Sequence, residues 1–115
     1  MRKVTLNDLS LSSVKCTDRV KRLLLSMPPG ANGEEDIARA LFVSKRTLAR
    51  RLKQEGSGYR VIREQLFAEL AARHLRETLL SVEAIATLLG YHDAASFRRA
   101  FRRWYGQTPA EFRRG

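Results

Sequence analysis

The pattern Ile-Ala, followed three residues later by Leu, occurs twice in this chain, as Ile37-Ala38 and Leu41 and again as Ile85-Ala86 and Leu89. Each copy is followed by a short break and then by a helical stretch rich in arginine. The duplication restricts the fold to two similar helical units. Each must bury its own apolar positions within a chain of 115 residues, enough for one domain or for two very small ones sharing a helix. The apolar content of 43% can supply those cores.

Local signals divide the rest of the chain. Residues 1–13 show no sustained period and read as a tail or linker remnant. From Val14, apolar residues at 14, 20, 23, 24 and 27 predict a helix ending at Met27, because Pro28-Pro29-Gly30 cannot continue one. Asn32 or Gly33 restarts the chain, and Glu34, Glu35 and Asp36 suit the positive end of a helix running to about Leu41. Ser44 is the expected N-cap of a third helix that lasts to Gln54 or Glu55 and is broken by Gly56-Ser57-Gly58. Residues 59–79 read as one long helix with Ile62, Leu66, Leu70 and Ala71 as its apolar stripe. Ser81 caps the next, with Leu80 and Ile85 as the two halves of a hydrophobic staple, and Gly90 ends it. Asp93 caps an arginine-rich helix that Gly106 stops, and Thr108-Pro109-Ala110-Glu111 is a capping box with Pro at the first helical position. No segment reads as a strand. The expected fold is all-α with seven helices: a tail over 1–13, a first subdomain over 14–57, a linker helix over 58–79 and a second subdomain over 80–115.

Charge narrows the partner. Lys and Arg number 22 against 12 Asp and Glu, a net charge of +10 that suits a polyanion. Seventeen of those cations are Arg, whose planar fork fits phosphates and guanine edges better than a lysine point charge does. Cys16 is the sole cysteine and cannot form an internal disulfide, and two His supply no metal-ligand spacing. No cofactor or metal is expected. The longest aliphatic run, Leu23-Leu24-Leu25, falls far short of the roughly 18 residues that span a bilayer, and the start lacks a signal-peptide apolar region. The expected location is the cytoplasm.

Each repeat has the form of a helix-turn-helix, in which a small residue on the first helix packs against the second and the second lies in a major groove. In the second copy Ala86 is the small residue and Gly90 the turn residue suited to positive φ. In the first, Phe42 stands where that glycine would be, so the turn must strain a bulky side chain by about 1 kcal/mol or adopt another geometry. At about 100° per residue, Phe101 and Trp104 fall within about 40° of Phe97, while Ala95, Arg98, Arg99, Arg102 and Arg103 gather on the opposite side. In the first copy Leu48 and Leu52 point inward, and Arg46, Ala49, Arg50 and Lys53 point out. A single basic helix would read as a solvated face; two in matching contexts favour groove contact. Small Ala49 and Ala95 would let each helix approach closely or meet a thymine methyl. Arg60, Arg63, Arg73 and Arg76 on the long helix read as solvated, with phosphate contact for Arg60 or Arg63 as the alternative. His74 and His92 read as structural, and Tyr91, Trp104 and Tyr105 as core or cap packing.

The stretches IARALFVSKRTLARRLKQEG and SVEAIATLLGYHDAASFRRAFRRWYGQTPAEFRR resemble the two halves of the C-terminal DNA-binding domain of AraC/XylS transcription regulators, over residues 14–114. The resemblance implies two helix-turn-helix subdomains joined by a long helix, binding double-stranded DNA in bacterial activators or repressors. RNA polymerase becomes a candidate partner. It also implies an N-terminal effector or dimerisation domain elsewhere in the full-length protein, of which this chain would be an excised fragment. Carried over by motif position, base-reading residues fall on Arg46, Ala49 and Arg50 in the first recognition helix and on Ala94, Ala95, Ser96 and Arg99 in the second. The expected phosphate contacts are Lys45, Lys53, Arg98, Arg102 and Arg103. Members of the family often carry larger polar residues at the positions of Ala49, Ala94 and Ala95, so readout here would lean on the arginines, methyl contacts and DNA shape. The roughly 30 Å of linker helix approaches the roughly 34 to 36 Å between successive major-groove faces. The rival readings are a basic helical RNA-binding or scaffold protein and an enzyme fragment such as the DNA-binding end of a recombinase. The sequence offers no carboxylate cluster, nucleophile-base pair or Walker loop for catalysis.

Overall fold

The computed structural model describes residues 15–115, so the expected tail and Val14 lie outside the described residues. Seven helices and no strand occur among the described residues: α1 (Cys16–Ser26), α2 (Glu34–Ala40), α3 (Lys45–Gln54), α4 (Tyr59–Glu77), α5 (Val82–Leu88), α6 (Ala94–Tyr105) and α7 (Pro109–Arg114). They divide into two units within α4, after Arg63. Among the described residues no helix is long and apolar enough to cross a membrane.

In the first unit Val20 and Leu24 of α1, Ile37 and Ala38 of α2, Leu48 and Leu52 of α3 and Ile62 of α4 are buried together as its apolar core. The helix ends follow the capping residues. Asp36 reaches back to accept the Gly33 N–H at 3.0 Å, and the Ser44 hydroxyl oxygen accepts the Thr47 N–H at 3.0 Å. The N-terminus of α1 has no such local cap, since Lys15 provides no acceptor there. Instead the Glu55 carboxylate, at the far end of α3, accepts the N–H groups of Cys16 at 2.8 Å and Thr17 at 2.9 Å. Partial desolvation pushes the Glu55 carboxyl up, but the bonds from Thr17 and Cys16 outweigh it and hold the group below the usual carboxylate range. The Tyr59 hydroxyl, at the start of α4, closes the unit by donating to the Asn32 carbonyl at 2.7 Å.

The turn from α2 to α3 takes the strained option. Phe42 lies at φ +60°, and Gly90 occupies the corresponding place between α5 and α6 at φ +82°. Both turns close with the same pair of backbone bonds. Phe42 N–H donates to Arg39 O and Val43 N–H to Ala38 O, each at 3.0 Å; Gly90 N–H donates to Thr87 O at 3.0 Å and Tyr91 N–H to Ala86 O at 2.9 Å. Glycine accepts this left-handed backbone without a Cβ clash, whereas the Phe42 ring is 95% exposed and gains no packing to offset the strain. Phe42→Gly is therefore expected to stabilise the first unit by about 0.5 to 1 kcal/mol, after allowing for the added freedom of the unfolded chain. Thermal melting should show its midpoint a few degrees higher. An unchanged or lower midpoint would mean that the turn holds no strain worth relieving.

In the second unit α4 contributes Leu66, Phe67, Ala71, Ala72 and Leu75 to a core completed by Ile85, Ala86 and Leu89 and by Phe97, Ala100 and Phe101. The expected stripe needs correction at Leu70, which is only half-buried, and it omitted Phe67, Ala72 and Leu75. The long helix also stops at Glu77, two residues before the expected Leu79. There the Thr78 hydroxyl donates to the His74 carbonyl at 2.7 Å while its oxygen accepts the Leu80 N–H at 3.2 Å, turning the chain early. The Arg113 guanidinium of α7 completes this end, donating to the carbonyls of Leu75 at 3.1 Å, Thr78 at 3.2 Å and His74 at 3.4 Å. Arg76 is exposed, as expected, and also lies over the Phe112 ring, 5.5 Å from its centroid. The remaining ends match their signals: Ser81 accepts from Ala84 N–H, Gly106 closes α6 at φ +74°, and Thr108 and Glu111 form both halves of the capping box.

Candidate nucleic-acid interface

The first exposed basic face is built on α3. Leu48 and Leu52 are fully buried and fix the helix by its opposite side, which leaves Lys45, Arg46, Ala49, Arg50 and Lys53 exposed. Arg46, Ala49, Arg50 and Lys53 are the residues expected to face outward and Lys45 is one of the expected phosphate contacts; all five are exposed. No ion pair among the described residues engages any of the four cations. Arg51 stands to one side, lining a cleft of about 210 Å³ with Cys16, Arg19, Leu41, Val43 and Glu55. Cys16 itself is half-buried, and desolvation followed by the Glu55 charge pushes its thiol above the usual range, which makes it a poor nucleophile.

The second face is built on α6. Asp93 caps it, its carboxylate accepting the Ser96 N–H at 2.7 Å, and that bond holds the carboxyl below its usual range. Phe97 and Phe101 are fully buried, Ala100 nearly so, and Arg98, Arg99, Arg102 and Arg103 are exposed on the other side together with Ala95. Ala94 and Ser96 are half-buried. The Ser96 hydroxyl oxygen accepts from Arg99 Nη2 at 3.2 Å, a contact that joins two of the expected readers. Tyr91 and Trp104 pack as expected, with Tyr91 5.5 Å from Phe97 and 6.4 Å from Trp104 between ring centroids.

Acids that the sequence reading did not single out modify this face. Glu83 of α5 pairs with Arg98 at 2.8 Å. Glu64 of α4 accepts from Arg103 at 3.2 Å and from the Trp104 indole N–H at 2.9 Å. The only signal in the sequence was a pair of acids in a basic chain. Their partners lie in other helices, beyond any helical spacing. The two faces thus differ: the cations of α3 are unpaired among the described residues, whereas two of the four arginines of α6 are held by carboxylates.

A rigid helix that is buried on one side and carries arginines on the other can present guanidinium forks to phosphate oxygens and to the acceptor edges of bases. A family model described as a helix-turn-helix domain matches residues 37–115. The Ornithine utilization regulator of Pseudomonas aeruginosa is 41% identical over 95 residues, which cover 83% of this chain and 28% of that protein. The HTH-type transcriptional regulator VirS of Mycobacterium tuberculosis is 37% identical over 107 residues, covering 93% of this chain and 30% of that protein. Among solved structures, the transcriptional regulator CdpR from Pseudomonas aeruginosa is similar at a TM-score of 0.76 and 37% identity, over 87% of this chain and 32% of that one. The DNA-binding domain of AdpA, solved in complex with a target DNA, is similar at a TM-score of 0.66 and 26% identity, over 82% of this chain and 81% of that one. The chain spans under a third of the length of the regulators it matches in sequence.

Proposed function

Since the chain belongs to the AraC/XylS family of helix-turn-helix regulators, we propose that it is a DNA-binding unit of a bacterial transcription regulator. It reads double-stranded DNA with α3 and α6 in adjacent major-groove segments. The observation that carries this reading is the repeat of one geometry: each of the two turns closes with the same backbone bonds and leads into a capped helix whose outer face is cationic. The complex of the AdpA domain with a target DNA supports the choice of DNA as partner, and the names of the sequence relatives support regulation rather than catalysis. In this reading Arg46, Ala49 and Arg50 of α3 and Ala94, Ala95, Ser96 and Arg99 of α6 meet base edges. Lys45, Lys53, Arg98, Arg102 and Arg103 grip phosphates. The rest of the full-length protein supplies an N-terminal effector or dimerisation domain, and RNA polymerase is the partner through which a bound activator works in the cytoplasm.

The two halves read unequally. Arg46 and Arg50 sit one turn apart on α3, while α6 offers small residues at its start and Arg99 as its main reader. A bidentate contact from Arg to guanine discriminates by about 1 to 3 kcal/mol, so the half-site under α3 is the more strictly specified. Sites selected from random duplex DNA should show two protected clusters on one face, bound by a single chain. Against every single-base change of that site, Arg50→Ala and Arg99→Ala should each lose about tenfold or more of discrimination at one position in its own half. Uniform weakening with unchanged base preference would reassign both arginines to phosphates.

A further inference from the structure

The pairing of Arg98 with Glu83 places an acid of the first helix of the second helix-turn-helix against an arginine of its recognition helix. Glu83 Oε2 lies 2.8 Å from Arg98 Nη2, and the side chains remain 66% and 48% exposed. The contact therefore contributes little to stability, since exposed pairs are screened by water and offset by side-chain entropy. Its geometry is still restrictive. Arg98 follows buried Phe97 on a helix fixed by Phe97, Ala100 and Phe101, so the base of its side chain is fixed, and in this conformation its guanidinium meets the carboxylate. The Glu83 backbone N–H and the Arg98 guanidinium both hold the Glu83 carboxyl below the usual carboxylate range, so the acid is ionised at neutral pH.

We propose that Glu83 is a positioning residue for DNA binding, an internal competitor that holds Arg98 away from phosphate until the duplex displaces it. This rests on the reading of α6 as a recognition helix. Glu83 Oε2 takes one nitrogen of the guanidinium, Arg98 Nη2, and a phosphate oxygen approaching that side of the fork competes for it. Phosphate binding through Nη2 therefore breaks the pair, and binding through the remaining donors brings the carboxylate near the DNA backbone, which repels it. Glu83 thereby lowers the contribution of Arg98 to sequence-independent affinity, the term through which a cationic helix grips any duplex. None of the cations on α3 carries such a restraint among the described residues. The restraint is specific to the half with fewer base-reading arginines, where uncontrolled phosphate affinity would most dilute discrimination.

The test is a double-mutant cycle of Glu83→Gln and Arg98→Gln, read as affinity for the selected duplex and for a scrambled duplex across a salt series. Circular dichroism and melting on all four proteins confirm folding, which substitution of two exposed side chains leaves intact. Glu83→Gln in the wild-type background should tighten scrambled-duplex binding by about twofold to fivefold and steepen the log-log salt slope by about 0.9, one additional phosphate contact. In the Arg98→Gln background the slope change should vanish and the gain should fall at least twofold. Equal effects of Glu83→Gln in the two backgrounds would overturn the proposal, as would weaker binding by Glu83→Gln alone, which would show that the acid aims Arg98 toward DNA. If the wild-type chain bound no duplex at all, the DNA-binding reading would itself be wrong, an outcome separate from a wild type that binds without coupling.

Discussion

Raising salt from about 50 to about 200 mM is expected to weaken duplex binding by roughly a thousandfold. Nine exposed cations on α3 and α6 set this expectation: Lys45, Arg46, Arg50, Arg51 and Lys53 on the first, and Arg98, Arg99, Arg102 and Arg103 on the second. Arg51 is turned toward a side cleft, and Arg98 and Arg103 are engaged by acids, so about six are free to neutralise phosphates at a given moment. Six contacts release enough condensed counterions for a log-log slope near −5, which a fourfold rise in salt converts to about three decades. Fluorescence anisotropy with a scrambled duplex measures that slope directly. Lys53→Ala or Arg102→Ala should flatten it by about 0.9 while weakening all sequences alike. A slope near zero would remove the electrostatic basis for the proposed function.

Phe101→Ala should strip the second unit of most of its stability. The ring is fully buried and stands at the centre of an aromatic cluster, with centroids of Tyr105 at 4.7 Å, Phe112 at 5.2 Å, Phe97 at 6.0 Å and Trp104 at 6.4 Å. Truncating a buried Phe costs about 3 to 5 kcal/mol through lost transfer energy and the cavity left behind, and loss of edge and tilted ring contacts adds to it. Small domains hold about 5 kcal/mol in reserve at the low end, so most of the margin disappears. Near-ultraviolet circular dichroism should lose its tertiary signal, and specific DNA binding should fall to what α3 alone sustains. Leu79→Ala is the control, because Leu79 is completely exposed and its truncation removes no packing. A Phe101→Ala protein melting within a degree or two of wild type would show that the cluster is not the core of this unit.

Much of the fold was legible because its signals act within one turn of helix. Ser44, Ser81, Asp93 and Thr108 each accept a backbone N–H three residues on, so a cap is visible wherever such a residue precedes an apolar period. The inward placing of Leu48, Leu52, Phe97 and Phe101 follows in the same way from a helical period that alternates faces regardless of what lies opposite. The long helix was less legible. Its end depends on whether Thr78 bonds back to His74, a choice that local pattern leaves open, and its stripe missed Phe67, Ala72 and Leu75 because α4 presents a wider buried face in the second unit than a single stripe describes.

Local patterns were enough for the seven helices, their order, the N-caps at Ser44, Ser81, Asp93 and Thr108 and the two outward basic faces, because each depends on residues no more than about four positions apart. Tertiary structure alone decided which charges those faces keep. Glu55 caps a helix 39 residues earlier, Glu83 holds an arginine 15 residues later, Glu64 reaches an indole 40 residues on, and Arg113 caps α4 across 38 residues. The physical reason is common to all of these. A helical period specifies which way a side chain points, but a carboxylate or a guanidinium finds its partner only after packing has brought separate helices within hydrogen-bonding distance.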